Sequence, residues 1–114
     1  MTITQKRLSG PTQLTTVSAN AYTVGSGVTT IVKQIVLTNT TSSAKTATVR
    51  LVNSGGTDDS TKDILSNTSL AANETVVFNC SMVMVYTGGA GDRITALVSS
   101  NSAVNMTVFG IEES

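Results

Sequence analysis

Few residues in this sequence could perform acid–base or nucleophilic chemistry. The chain of 114 residues contains no histidine and a single cysteine, Cys80. Nucleophile pairs of the Ser–His and Cys–His types are impossible, because each needs an imidazole to accept the proton of the nucleophile. One thiol without any imidazole also cannot supply the four ligands of a structural zinc ion within one chain.

Three carboxylates form the main candidate for chemistry. Asp58, Asp59 and Asp63 lie close together in sequence, after Gly55 and Gly56. Neighbouring carboxylates can bind a divalent cation or transfer protons, but the spacing does not match a known calcium-binding loop. We expect a solvated, flexible loop, with a weak cation site and acid–base chemistry as the two alternatives.

Two further motifs favour structural roles. The segment 88–92, Gly-Gly-Ala-Gly-Asp, lacks both the lysine–hydroxyl ending of a P-loop and a following helix, so we expect a tight turn. Cys80 alternates with Val76 and Phe78 on the apolar side of a predicted strand, which indicates a buried, unreactive thiol. The sequence therefore predicts no enzyme, no catalytic residue, no cofactor and no metal site.

Composition narrows the possible partners. Seven Lys and Arg residues balance seven Asp and Glu residues and are scattered along the chain, so no basic patch for nucleic acid is expected. No apolar run approaches the roughly 20 residues that cross a bilayer, and none follows the first cations as in a secretory signal. We expect a protein that binds neither nucleic acid nor membrane and is made in a cytosol.

The pattern of the chain favours sheet over helix. Thr, Ser and Asn occupy 20, 14 and 8 positions, and 14 valines dominate the apolar residues. Short segments with period-2 alternation are separated by Gly, Ser and Asn clusters, as in Ala47, Val49 and Leu51. The predicted strands cover residues 14–17, 21–24, 29–39, 45–53, 64–66, 74–80, 83–86, 93–99 and 103–111.

These strands predict an all-β protein. We expect an antiparallel, jelly-roll-like β-sandwich of about eight strands over residues 17–114, preceded by an extended N-terminal arm over residues 1–16. The arm is polar and contains the only proline, Pro11.

A resemblance rests on the order of several segments. The first half of the order consists of residues 22–24, a glycine loop, Ile31-Val32-Lys33-Gln34-Ile35-Val36-Leu37-Thr38-Asn39-Thr40 and residues 46–52. The second half consists of residues 69–76, 86–96 and 108–112. Over residues 20–112 this order resembles small β-sandwich proteins encoded by tailed bacteriophages. The segment 88–92 departs from the resemblance, because it is longer than the short turn expected there.

The resemblance implies a role in a virion. Such proteins are non-enzymatic virion structural proteins that act as oligomers, often homotrimers, and decorate or cement the capsid or serve as other head or tail accessories. The implied partners are copies of the chain itself and virion proteins such as the major capsid or tail proteins. The alternative is a carbohydrate- or receptor-binding module associated with a tail tip or fibre, although four aromatic residues are few for a sugar platform.

A virion component functions through the surface that it buries against its neighbours. Five apolar residues are the candidates for that surface. We expect Ile3 and Leu8, on the arm, to contact a neighbouring subunit. We expect a subunit interface to include Ile35, Phe109 and Ile111.

Overall fold

Strands account for most of the chain in the computed structural model, which describes residues 2–114. The described part contains ten strands, β1 to β10 in chain order, and a single 3-10 turn at Ser60–Lys62. The strands span Ile3–Gln13, Ala19–Thr23, Thr29–Asn39, Lys45–Val52, Asp63–Leu70, Thr75–Met84, Tyr86–Thr87, Ala90–Gly91, Arg93–Val98 and Val104–Glu113. Over residues 2–114, no helix is both long and apolar enough to cross a membrane.

Two four-stranded antiparallel sheets form the sandwich. The first sheet has the order β1-β10-β3-β6, and the second has the order β2-β9-β4-β5. Pairing is nested along the chain: β1 with β10, β2 with β9, β3 with β6 and β4 with β5. This is the strand order of a jelly roll, and it confirms the predicted antiparallel β-sandwich. The strands number ten because β7 and β8 form a separate small hairpin.

The core lies between the two sheets and is built by alternation. On β4, Ala47 and Val49 face inward, and on β10 Val104, Met106 and Val108 do so. Neighbouring positions such as Asn105 and Thr107 are more exposed, because successive side chains of a strand point to opposite faces. The largest fully buried side chains are Ile35, Leu37, Leu70, Met84, Ile94 and Met106.

The N-terminal segment differs from the predicted arm. Residues 3–13 form β1, the edge strand that pairs with β10 from Ile3 opposite Glu113 to Gln13 opposite Asn105. A polar sequence can occupy this position, because an edge strand is held by backbone hydrogen bonds and has one edge free. Gly10 adopts a φ of +87°, and a Cβ there would lie 2.3 Å from the carbonyl oxygen of Met106. The strand therefore bends over β10 at a position that only glycine can occupy.

Candidate functional site

The three carboxylates are separated by the fold. Asp58 and Asp63 both contact Arg50, with Arg50 Nη1 3.1 Å from Asp58 Oδ1 and Arg50 Nε 2.8 Å from Asp63 Oδ1. Asp59 instead caps the 3-10 turn by accepting a hydrogen bond from the backbone amide of Thr61. The expected solvated loop is thus an ion-paired segment at Asp58 and Asp63. Within residues 2–114, no group of three Asp, Glu, Cys or His side chains could hold a metal ion.

Asp58 is held as a charged group inside a hydrogen-bond network. Burial opposes ionisation, but hydrogen bonds from Ser18, Thr95 and Arg50 outweigh it and lower the pKa of Asp58. The hydrogen bond to Asp63 also favours the charged form of Arg50 and raises its pKa. These contacts join β4 to β9 and to two loops, so the groups act as a structural cross-link.

The glycine-rich segment forms a hairpin anchored by its aspartate. Gly88 and Gly89, with φ of +62° and +87°, make the turn between β7 and β8. Asp92 then accepts hydrogen bonds from the backbone amides of Ser54 at 2.7 Å and Val85 at 3.0 Å. The carboxylate ties three loops together at one end of the sandwich.

Cys80 lies on the half-buried face of β6. Its thiol donates to the carbonyl oxygen of Val32 at 3.4 Å, and burial raises its pKa. A thiol with a raised pKa holds less of the nucleophilic thiolate at neutral pH.

Apolar residues instead collect on the outer face of the first sheet. Ile111, Ile31 and Val83 lie side by side on β10, β3 and β6, and Val36 lies beside Val77 on β3 and β6. The exposed fractions of Val77 and Val83 are 49% and 60%. This set of five residues, with the exposed Phe109, is called the outer apolar face below.

A groove opens at one end of this face. Its volume is about 410 Å³, and its lining residues are Gln5, Lys6, Lys33, Phe109, Gly110 and Ile111. Lys6 is bound to Glu112 at 2.9 Å and Lys33 donates to the hydroxyl of Ser81 at 3.1 Å. The groove therefore combines an apolar wall with two ammonium groups.

Three of the five predicted interface residues lie at the surface in the first sheet. Ile3 is 59% exposed at the start of β1, Phe109 is 37% exposed, and Ile111 is half-buried in the groove. Ile3 and Ile111 are on neighbouring strands, since Ile3 lies opposite Glu113 and Gln5 opposite Ile111.

The structure corrects the prediction for Ile35 and places Leu8 partly against the core. Ile35 is fully buried in the core, because an extra residue in β3 near Lys33 reverses the alternation, so that Val32 and Ile35 both face inward. Leu8 is partly buried and packs against the core cluster, beside Gly110. The side chain of Ile35 is therefore not available for the expected contact, whereas Leu8 on β1 keeps a partly exposed side chain.

Sequence reasoning missed Val77 and Val83 as surface residues. The signal was present at Val77, an apolar residue on the polar side of the alternation between Val76 and Phe78. Dividing the segment into strands at 74–80 and 83–86 hid the continuous strand β6, on which both valines point outward.

No protein-family model matches the sequence. No curated protein matches it either. Solved structures with the same fold do match. A chain from the Bacillus endospore appendages that form disulfide-linked pili superposes with a TM-score of 0.57 at 13% identity, covering 99% of this chain and 88% of that one.

A second similar structure comes from infectious bursal disease virus. A chain of the Gx strain superposes with a TM-score of 0.56 at 11% identity, covering 97% of this chain but 32% of the viral chain. A chain of the Gt strain superposes with a TM-score of 0.50 at 11% identity, covering 97% of this chain and 30% of the viral chain. At such identities the likeness shows a shared β-sandwich fold, and this chain spans about a third of the viral chains.

Proposed function

We propose that this protein is a non-enzymatic structural protein that assembles with copies of itself and with other proteins of a tailed-bacteriophage virion. More specifically, we propose that it is a capsid decoration or cementing protein, or another head or tail accessory protein. The observation that carries the proposal is the outer apolar face, which runs across three strands of the first sheet. Exposed apolar surface of this kind marks sites of protein interaction.

Three uncharged polar residues within this face support its burial against protein, while the charged Lys6 and Lys33 lie at the groove end. Gln34, Asn79 and Thr107 carry no charge and alternate with the apolar residues on neighbouring strands. Neutral amides and hydroxyls lose less hydration free energy on burial than charged groups do. Two similar folds also come from a pilus and from a virus, which agrees with a fold suited to assembly.

A second observation supports the proposal: the carboxylates that could perform chemistry are bound to other groups within the fold. The carboxylates Asp58 and Asp63 are bound to Arg50, and Asp92 is bound to backbone amides. Each of these groups therefore has at least one partner within the fold. A structural role requires nothing further from them.

Immunogold electron microscopy tests the proposed location. An epitope tag would be added to the chain in its own genetic background, and the released particles and appendages would be labelled. Label on virion heads supports a decoration or cementing role, and label on tails supports a tail accessory. Label on no assembled structure would contradict the proposal.

A Phe109→Ser variant tests the outer face as an assembly surface. We expect smaller assemblies by light scattering with little change in the fold, because Phe109 is already 37% exposed. Val17→Ser is the control, since Val17 is 73% exposed and lies outside the strands, in the loop between β1 and β2. Equal assembly sizes for the two variants would count against this surface.

The groove favours one second candidate, a carbohydrate- or receptor-binding module. Phe109 offers an aromatic surface beside the amide of Gln5 and the ammonium group of Lys33. Aromatic surfaces with flanking polar groups bind sugars through their apolar faces and hydroxyls. A glycan array with the purified protein tests this candidate, and loss of any signal in Phe109→Ala would place the sugar in the groove.

A further inference from the structure

The four edges of the two sheets differ in how they are protected from pairing with another chain. Edge strands are normally blocked by charge, proline, bulges or short length. Strand β1 carries Lys6, Arg7 and Pro11, and β2 has five residues. Strand β5 carries Asp63 and has two register shifts against β4, with Asn67 at a φ of 45°.

Strand β6 has the least protection. Its ten residues, Thr75–Met84, include no charged residue, no proline and no glycine. Its side chains alternate between exposed and more buried, and its pairing with β3 has one register shift, where Cys80 and Ser81 of β6 lie opposite Lys33. Four of the seven large apolar residues exposed in the described chain lie on β6 or just after it, namely Val77, Val83, Val85 and Tyr86.

We propose that β6 pairs antiparallel with β6 of a second copy of this chain, which joins the two first sheets into one eight-stranded sheet. The inference rests on the proposed function, because it names the partner and the surface for self-assembly. An uncharged, regularly alternating edge is matched by a partner strand with the same properties. In the described chain, β6 itself is the edge strand that has them.

The side chains select one register. If the two-fold axis passes at Cys80, Val77 lies opposite Val83 of the second copy and Asn79 lies opposite Ser81. The most exposed valines of the strand then contact each other, and an amide meets a hydroxyl. Cross-strand pairs of matched polarity are those that stabilise a sheet.

This register also joins the outer apolar faces of the two copies. The row Ile111, Ile31 and Val83 continues into Val77 and Val36 of the second copy. The paired edges are about 30 Å long and about 10 Å thick, so they bury roughly 600 Å² in total. This is less than the 1,200–2,000 Å² of a typical stable complex, so the isolated dimer should dissociate on dilution.

Light scattering after size-exclusion chromatography tests the dimer. We expect the wild-type protein to change from dimer to monomer over a dilution series. Val77→Lys should raise the dissociation constant by about tenfold or more, because an outward lysine on an edge strand opposes pairing. Val17→Lys, the same substitution at a more exposed valine outside the strands, should leave it unchanged. Monomer throughout, or equal effects of both lysines, would overturn the proposal.

Disulfide trapping tests the register. Asn79→Cys and Ser81→Cys would be made separately in a Cys80→Ser background and oxidised with diamide, alone and mixed. Directly opposite residues come within disulfide reach, whereas diagonal ones are about 7–8 Å apart. We expect the mixture to form several times more covalent dimer than either variant alone. Equal cross-linking in all three samples would overturn the two-fold register at Cys80.

The outcomes separate this inference from the proposed function. A trimer or an open-ended polymer unaffected by Val77→Lys would overturn β6 pairing, while the protein could still be found on virions. A β6-paired dimer that labels no assembled structure would support the pairing and contradict the virion role.

Discussion

The hydroxyl of Tyr22 donates a hydrogen bond of 2.5 Å to Oε2 of Glu112, and this contact joins the two sheets of the sandwich. Tyr22 belongs to β2 of the second sheet, whereas Glu112 belongs to β10 of the first. The same hydroxyl lies 2.7 Å from the hydroxyl of the buried Thr30 on β3. Burial and then the bond to Glu112 raise the pKa of Tyr22 to about 12, and the Tyr22 bond lowers the pKa of Glu112.

Removing the Tyr22 hydroxyl should destabilise the sandwich. Tyr22→Phe keeps the ring in place but leaves Glu112 and Thr30 without their shared partner. We expect the free energy of unfolding to fall by about 1.5–3 kcal/mol, the range for a hydrogen bond to a charged group. Urea denaturation followed by circular dichroism measures it. Tyr86→Phe, at an exposed tyrosine, is the control, and an equal loss in both variants would contradict the role of the contact.

Stability should fall at alkaline pH because of the same residue. The pKa of Tyr22 is raised from 10.0 to about 12 in the folded chain. Because this pKa is raised, the contribution of the protonated Tyr22 hydroxyl to the free energy of unfolding is fully present below pH 10. It is lost as the pH rises toward 12. Two pKa units correspond to about 3 kcal/mol. Thermal unfolding at several pH values checks this, and Tyr22→Phe should show a flatter decline than wild type between pH 10 and 12.

The ion pairs of Arg50 should contribute more than those at the surface. Arg50→Met leaves Asp58 and Asp63 partly buried without their cation, and the side chain of Arg50 is only 15% exposed. We expect a loss of about 2 kcal/mol, below the 3–5 kcal/mol for fully buried pairs. Lys62→Met, at the partner of the exposed Asp59, should change little. Similar unfolding midpoints for both variants in urea would contradict this ranking.

That loss should shrink in acid. The pKa of Asp58 is lowered in the folded chain, so its contribution is present at neutral pH and is lost as the pH falls through that value. Wild type and Arg50→Met should therefore become more alike in stability as the carboxylates are protonated. A constant difference down to low pH would show that packing of the arginine stem, and not charge, is responsible.

The hairpin of β7 and β8 is held close to the loop after β2. A Cβ on Gly91 would lie 2.0 Å from the carbonyl oxygen of Val24, so Gly91→Ala must displace backbone. We expect a loss of about 1–3 kcal/mol, as for other overpacked sites. Gly25→Ala is the matched control, because nothing lies within 4 Å of a Cβ there. Thermal unfolding of the two variants makes the comparison.

Regular alternation made much of the fold predictable from sequence. The bounds predicted for β3, residues 29–39, match the observed Thr29–Asn39, and those for β4 and β9 differ by one residue. These strands are central in their sheets, where one or both faces are buried and the apolar pattern is strong. In these three strands the side-chain pattern located the strand ends to within one residue.

Features set by backbone or by distant residues could not be predicted in this way. Ile35 was placed at an interface because the run from Ile31 to Leu37 is apolar on both faces apart from Lys33 and Gln34, and these two adjacent polar residues did not by themselves reveal the extra residue in β3. The Arg50–Asp58 contact likewise depends on how the loop after β4 folds back onto that strand. Strand β1 is polar and is recognised only through its pairing with β10.

The N-terminal segment provides the test that separates a strand from an arm. Deleting residues 1–10 removes most of β1 and uncovers the edge of β10. We therefore expect the deletion variant to aggregate and to lose cooperative unfolding. Ile3→Ser removes only an exposed side chain and should change the free energy of unfolding by less than about 0.5 kcal/mol. If Ile3 contacts a neighbouring subunit, the same variant should nevertheless form smaller assemblies by light scattering. The pairing of β1 with β10 should contribute to the free energy of unfolding, so its removal should lower that free energy. A deletion variant that unfolds cooperatively with unchanged stability would show that β1 contributes nothing to the fold.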